Sequence, residues 1–270
     1  MLWTWLAIGI VVAVVATIVV IKTTSSPPKG STEPPTSQTV YNEITTIPAS
    51  VFNTVGVTSP VIRVFPPSVV TKVQKPLTFT ENGKTLPGAF YWGAEYCPYC
   101  AATRWGIIAA LSRFGTFDNK LYDMSSSPVD YAPNTPTFSF YGTTYSSKYL
   151  VFKAFEVEGP LNNGVVLMKT PTNIMTLVLK YNKSQYFPFM DMGNKAIIIG
   201  TAYDPLKLAG LTRDEIAAGL TDPTNPATQA IVATANYISA GLCATTHGAP
   251  SSVCTSSGVM AAATALHLTI

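Results

Sequence analysis

Two thiols stand two residues apart in Cys97-Pro98-Tyr99-Cys100, at the end of the apolar run Tyr91-Trp92-Gly93-Ala94-Glu95-Tyr96. That spacing suits thiol–disulfide exchange, in which one thiolate attacks a disulfide and the second resolves the mixed intermediate. The same spacing is also half of a zinc site. A purely structural disulfide is a third option, weakened because so short a loop removes little chain entropy. Zinc would need two more ligands. The remaining candidates, Cys243, Cys254, His247 and His267, show neither a second Cys-x-x-Cys nor a compact histidine spacing. The redox reading therefore leads, with no metal and no cofactor called for.

The flanking elements must place these thiols. Ala89 to Ala94 reads as a buried strand, and Leu77 to Leu86 as a hairpin in which Asn82-Gly83 supplies the positive φ angles of a two-residue turn. After Cys97, apolar residues near 101, 105, 108 and 111 have helical spacing, with Pro98 in the first turn, where its missing N–H does no harm. A thiol at a helix N-terminus faces unpaired backbone N–H groups and the positive end of the helix dipole, which favour thiolate. Cys97 is thus the expected nucleophile. Cys100, one turn along, is the expected resolving thiol.

The run from Tyr91 to Cys100 resembles the active site of the thioredoxin superfamily, an aromatic strand leading into Cys-x-x-Cys, with the Pro-Tyr dipeptide that glutaredoxins favour. The whole chain resembles an archaeal family of membrane-anchored, thioredoxin-like proteins catalogued as a domain of unknown function. The superfamily resemblance covers residues 86 to 113 most specifically. It implies a cis-proline at the start of a hairpin, lying against the cysteines, with its neighbour's backbone pairing with the substrate chain. Pro188 matches that position in Tyr186-Phe187-Pro188-Phe189-Met190, with Phe187 before it. Phe187, Tyr96 and Tyr99 would then offer apolar surface to an unfolded client.

Beyond the motif, residues 117 to 150 read as a Ser/Pro/Thr/Tyr-rich loop followed by a strand, 149 to 158 as a strand, and 171 to 179 as a short helix capped by Thr172. Asn182-Lys183-Ser184 is an N-x-S/T sequon, so Asn182 is a candidate glycosylation site if it faces outside. Thr212 to Glu215 has a capping-box pattern. Asn225-Pro226 opens a longer helix to about Leu242, and Met260 to Leu268 reads as another. Cys243 and Cys254 flank a Gly/Pro/Ser loop between helices and most simply form a structural disulfide; a second redox pair relaying electrons to Cys97 is the alternative.

The N-terminus starts with an uncharged apolar segment, Leu2 to Ile21, long enough for a span of about 20 residues. A cleaved signal peptide is the rival, but the basic n-region and small-x-small site of such peptides are missing. A Pro/Ser/Thr-rich stretch follows, a bare tether or a glycosylated stalk. Lys22 and Lys29 after the span argue for a cytoplasmic C-terminal side. Against them stand the paired cysteines and a charged fraction of only 11% of 270 residues, well under the roughly 25% of soluble domains. We weigh the latter more heavily and expect the C-terminal domain outside. The net charge of +3 carries no long basic run, so nucleic acid is not an expected partner.

The expected architecture is α/β: an anchor over 1–22, a stalk over 23–40, a thioredoxin-like sheet flanked by helices over 41–204 with a β extension at 41–76, and a C-terminal helical extension over 205–270. The expected function is a membrane-anchored, extracytoplasmic thiol–disulfide oxidoreductase, oxidase or isomerase, whose partners are protein thiols and disulfides and, through residues 2–21, the lipid bilayer. The alternative is a non-catalytic surface binding or assembly protein whose cysteines stay oxidised.

Overall fold

Proline placement explains the first departure from expectation. The computed structural model describes residues 33–58, 63–72, 74–117 and 121–270; the apolar segment and most of the stalk lie outside them. Where a β extension was expected, two short helices form, α1 (Gln38–Thr45) and α2 (Ala49–Val55). The Ser37 hydroxyl accepts from Val40 N–H at the start of α1, and Val40 and Ile44 share its buried face. Pro48 sits just ahead of α2, where a proline costs no helical hydrogen bond. Among the described residues of that stretch, the two-residue β1 (Ser68–Val69) is the one strand. Within residues expected as stalk, Pro35 bridges to Tyr122 and Val40 is buried.

The hairpin of β2 (Thr78–Glu81) and β3 (Lys84–Gly93) forms as expected, with Asn82 and Gly83 both at positive φ. From β3 the chain enters α3 (Pro98–Leu111). It then passes through β4 (Thr116–Phe117), β5 (Tyr122–Ser125), β6 (Pro136–Ser139) and β7 (Tyr145–Ser146), which pair as β4 with β7 and β5 with β6. Next come β8 (Val151–Glu156), α4 (Thr172–Tyr181), β9 (Phe189–Met192) and β10 (Ala196–Ile199). The backbone of α4 starts at Thr172, with Pro171 in the cap position and no side-chain cap, so Thr172 is not the cap. The chain closes with α5 (Arg213–Gly219), α6 (Pro226–Thr245), α7 (Ser251–Cys254) and α8 (Ser257–Leu266). The Thr212–Glu215 capping box and the Asn225 cap on α6 both form. Among the described residues no helix is long and apolar enough to cross a membrane.

The sheet is mixed. β3 lies parallel to β8 and antiparallel to β9, and β9 continues to β10 and β1. The alternation along β3 divides the core, because successive strand residues point to opposite faces. Ala89 and Tyr91 join the cluster that includes Trp105, Ile108, Ile231 and Ile238 from α3 and α6, whereas Phe90 and Trp92 join Ile174 and Val178 of α4. Helices thus cover both faces. Every residue of α3 except Tyr99 is buried, as is α6 from Ala230 to Thr245. A helix buried on all sides belongs to the core, and burying Trp105 alone contributes about 1.5–3 kcal/mol or more. The C-terminal region is therefore no appendage. α6 packs on α3, and residues 33–270 form one compact unit.

Candidate functional site

Cys97 is the N-cap of α3. Its extended backbone follows the turn that leaves β3, and its Sγ accepts a hydrogen bond from Cys100 N–H at 3.3 Å. Cys97 is 5% exposed and Cys100 is fully buried; neither is in a disulfide. The two thiols are driven apart chemically. Cys97 lies below the ordinary thiol range because the Cys100 thiol hydrogen-bonds to it, with further support from the Cys100 backbone N–H, Arg104 and the Tyr99 backbone N–H. Cys100 lies well above that range, first from burial and then because it donates to, and sits beside, Cys97. A more acidic Cys97 thiol and a less acidic Cys100 thiol suit attack by the first and resolution by the second.

Three of the four residues expected to line a groove lie beside the pair. Tyr96, Tyr99 and Phe187 pack on the cluster of Ala94, Cys97 and Cys100. Phe187 also sits on Trp92, with ring centroids 4.5 Å apart, and the Phe187–Pro188 peptide is cis. Pro188 is buried at the entrance to β9, where its carbonyl accepts from Gly200 N–H at 2.8 Å. Tyr99 stacks on Tyr131, and Ser127 N–H donates to the Tyr96 carbonyl at 2.8 Å, so the 127–131 loop is fastened to the motif.

Asn182 does not behave as expected. It is 3% exposed, its Nδ2 donates to the Tyr186 carbonyl at 2.8 Å, and its Oδ1 accepts from Tyr186 N–H at 3.0 Å. The amide nitrogen that would carry a glycan is used to turn the chain into β9. Cys243 and Cys254 form the expected disulfide, joining α6 to α7. Both are buried, which speaks against an electron relay that would need exposure. Among the described residues no three metal-ligating side chains converge, and the two other cysteines are committed to each other.

A charged layer under the cysteines escaped the sequence reading. Arg104 of α3 and Glu156 of β8 are fully buried and paired, and Arg104 Nη2 also donates to the Ala94 carbonyl at 2.8 Å. Glu95 is buried beside them and accepts from the Ser139 hydroxyl. Burial, then the neighbouring Glu156 charge, pushes its carboxyl up to about 7. Tyr91 lies over the same guanidinium, 5.6 Å from Arg104 Cζ to ring centroid. A signal for this layer was present, since Arg104 and Glu156 interrupt apolar runs in a chain poor in charge, and such residues are almost never fully buried unless paired.

Fold and site together define an α/β protein in which a Cys-x-x-Cys pair caps a buried helix against a mixed sheet. The chain belongs to the family described as Domain of unknown function (DUF929), whose model matches residues 71–244. That match runs from the β2–β3 hairpin to the end of α6, in keeping with α6 as part of the central fold. No curated protein and no solved structure matches the chain.

Proposed function

We propose that this chain is a membrane-anchored, outward-facing thiol–disulfide oxidoreductase on a thioredoxin-like fold. The observation that carries the reading is Cys97 Sγ at the N-cap of a buried helix with the Cys100 N–H and thiol directed at it. The fold reading rests on the strand order β10-β9-β3-β8, with α3 and α6 on one face, α4 on the other, and a cis-proline entering β9. The outward location rests on the Cys243–Cys254 disulfide, which suits an oxidising compartment, and on the apolar segment Leu2–Ile21 as the anchor.

In the reducing direction Cys97 thiolate attacks a client disulfide, forming the Cys97–client bond and releasing one client thiolate. Cys100 then attacks Cys97 Sγ, the Cys97–client bond breaks, and the second client sulfur leaves. Oxidation of a client runs the same steps backwards. Two loops joined to the motif expose apolar side chains suited to an unfolded chain: Val129, 89% exposed, and Tyr131 on one, and Leu161, 76% exposed, with Val165 and Val166 on the other. Whether the protein acts as oxidase or isomerase follows from its reduction potential. Insulin reduction and reoxidation of reduced ribonuclease by the wild type, both abolished in Cys97→Ser, are the expected results; equal activity of the variant overturns the reading.

The low exposure of Cys97 favours a second reading, a binding or assembly module with the pair held oxidised. Resistance of a Cys97–Cys100 disulfide to millimolar dithiothreitol would support it.

A further inference from the structure

Tyr91 carries a hydroxyl with no purpose in packing. The side chain is fully buried, and among the described residues its Oη has no hydrogen-bond partner of ordinary geometry. Such an orphan costs about 1–3 kcal/mol, and a phenylalanine would fill the same space against Phe140, whose ring centroid is 5.3 Å away. The hydroxyl is aimed at the cysteine pair. A Cβ built on Gly93 would lie 2.1 Å from Tyr91 Oη and 3.0 Å from Cys100 Sγ, so both atoms crowd beneath the same bare backbone position. Glycine at 93 leaves room for the phenol to reach the resolving sulfur.

Building on the oxidoreductase reading, we propose that the Tyr91 hydroxyl is the donor that holds Cys100 Sγ as a thiolate during the resolving step. Among the described residues the titratable groups facing that sulfur are Cys97 from the N-cap of α3, Tyr96 just before it, Tyr91 from β3, and the Arg104 guanidinium over the Tyr91 ring, itself neutralised by Glu156. In the resting dithiol Cys100 spends its proton on Cys97. Once Cys97 is bonded to the client sulfur that acceptor is gone, and the Cys100 proton passes to the client thiolate already released. The thiolate left behind is deep in an apolar site. Tyr91 keeps its own proton and donates a hydrogen bond, while Arg104 supplies the positive field; both draw Cys100 towards the ionised form against the opposing effect of burial. Cys100 S⁻ then bonds to Cys97 Sγ and the second client thiolate departs. The products are a Cys97–Cys100 disulfide and a client dithiol carrying the one proton.

The test uses the full chain and an aromatic disulfide, Ellman's reagent, as probe. Cys97 releases the first thionitrobenzoate, Cys100 the second, so the two steps are read separately by absorbance. In Tyr91→Phe the second phase is expected to slow about tenfold relative to the first, equivalent to about one pH unit in thiolate population. In a Cys97→Ser background the pH midpoint for Cys100 alkylation is expected to rise by a similar amount on adding Tyr91→Phe. Thermal melting is expected to hold steady or improve, because only an unpartnered hydroxyl is lost. An unchanged ratio of phases with an unchanged alkylation profile overturns the proposal. Failure of the wild type on protein disulfides would count against the oxidoreductase reading alone, since the Cys100 titration does not depend on a client.

Discussion

Arg104 and Glu156 meet in a two-point ion pair, Nε to Oε1 at 2.9 Å and Nη2 to Oε2 at 2.7 Å, with neither side chain exposed. The pair fastens α3 to β8 directly below the cysteines, and Glu156 Oε1 also accepts from Phe140 N–H at 3.2 Å. Desolvating two charges costs nearly as much as their attraction returns, so the pair is better read as a locator of α3 than as a large source of stability.

Breaking the pair from one side is a different matter. Glu156→Ala leaves a cation buried without its carboxylate, and the expected loss is about 3–5 kcal/mol, measured as the shift in a urea unfolding curve. The double variant Arg104→Met with Glu156→Leu is expected to recover much of that loss. Equal destabilisation by the single and double variants would contradict this account of the pair.

Glu95 makes stability fall with rising pH. Its carboxyl moves from 4.5 to about 7 on folding, chiefly through burial. Between those values the folded chain holds a proton that the unfolded chain has released, so stability declines across that window and levels off above it. The size is about 3 kcal/mol for one site. Asp191, raised from 3.8 to about 6 by burial, adds a slope of the same sign at lower pH. Glu95→Gln keeps an acceptor for the Ser139 hydroxyl and is expected to flatten the decline between about pH 5 and about pH 8 in urea midpoints. A variant with the wild-type slope would show that another group titrates.

The Cys243–Cys254 disulfide is expected to support the fold and leave the chemistry alone. Cys243 and Cys254 are separated by 11 positions, and a loop of that size is worth about 2–3 kcal/mol. Replacing both with alanine should lower the unfolding free energy by that amount while the thiol reactivity of Cys97 persists. Loss of client turnover in a folded variant would restore a relay role to this pair.

Local signals were the legible part of the sequence. Asn82-Gly83 made its turn, Pro98 and Cys97 marked the start of α3, and Thr212 with Glu215 and Asn225-Pro226 marked two helix starts, because each of these effects acts within one turn of chain. The first helices were missed because Pro48 looks the same in sequence whether it precedes a helix or interrupts a strand. The Arg104–Glu156 pair spans 52 positions and the parallel β3–β8 pairing is comparably long-range, so a charge inside an apolar run marks burial without naming its partner. Asn182 carried a correct sequon with no indication that its amide would be turned inward to Tyr186. Thr228, Thr234, Asn236 and Ser239 interrupt the apolar residues of α6, so its burial on all sides is not marked by an unbroken apolar run.

The reduction potential of the Cys97–Cys100 pair tests the central claim most directly. Equilibration against dithiothreitol and glutathione redox buffers, with alkylation to trap each state, should give reversible two-electron behaviour at a potential above about −300 mV, the level below which structural disulfides lie. A pair that cannot be oxidised and reduced reversibly, or that titrates below about −300 mV, would contradict a working redox couple at the head of α3.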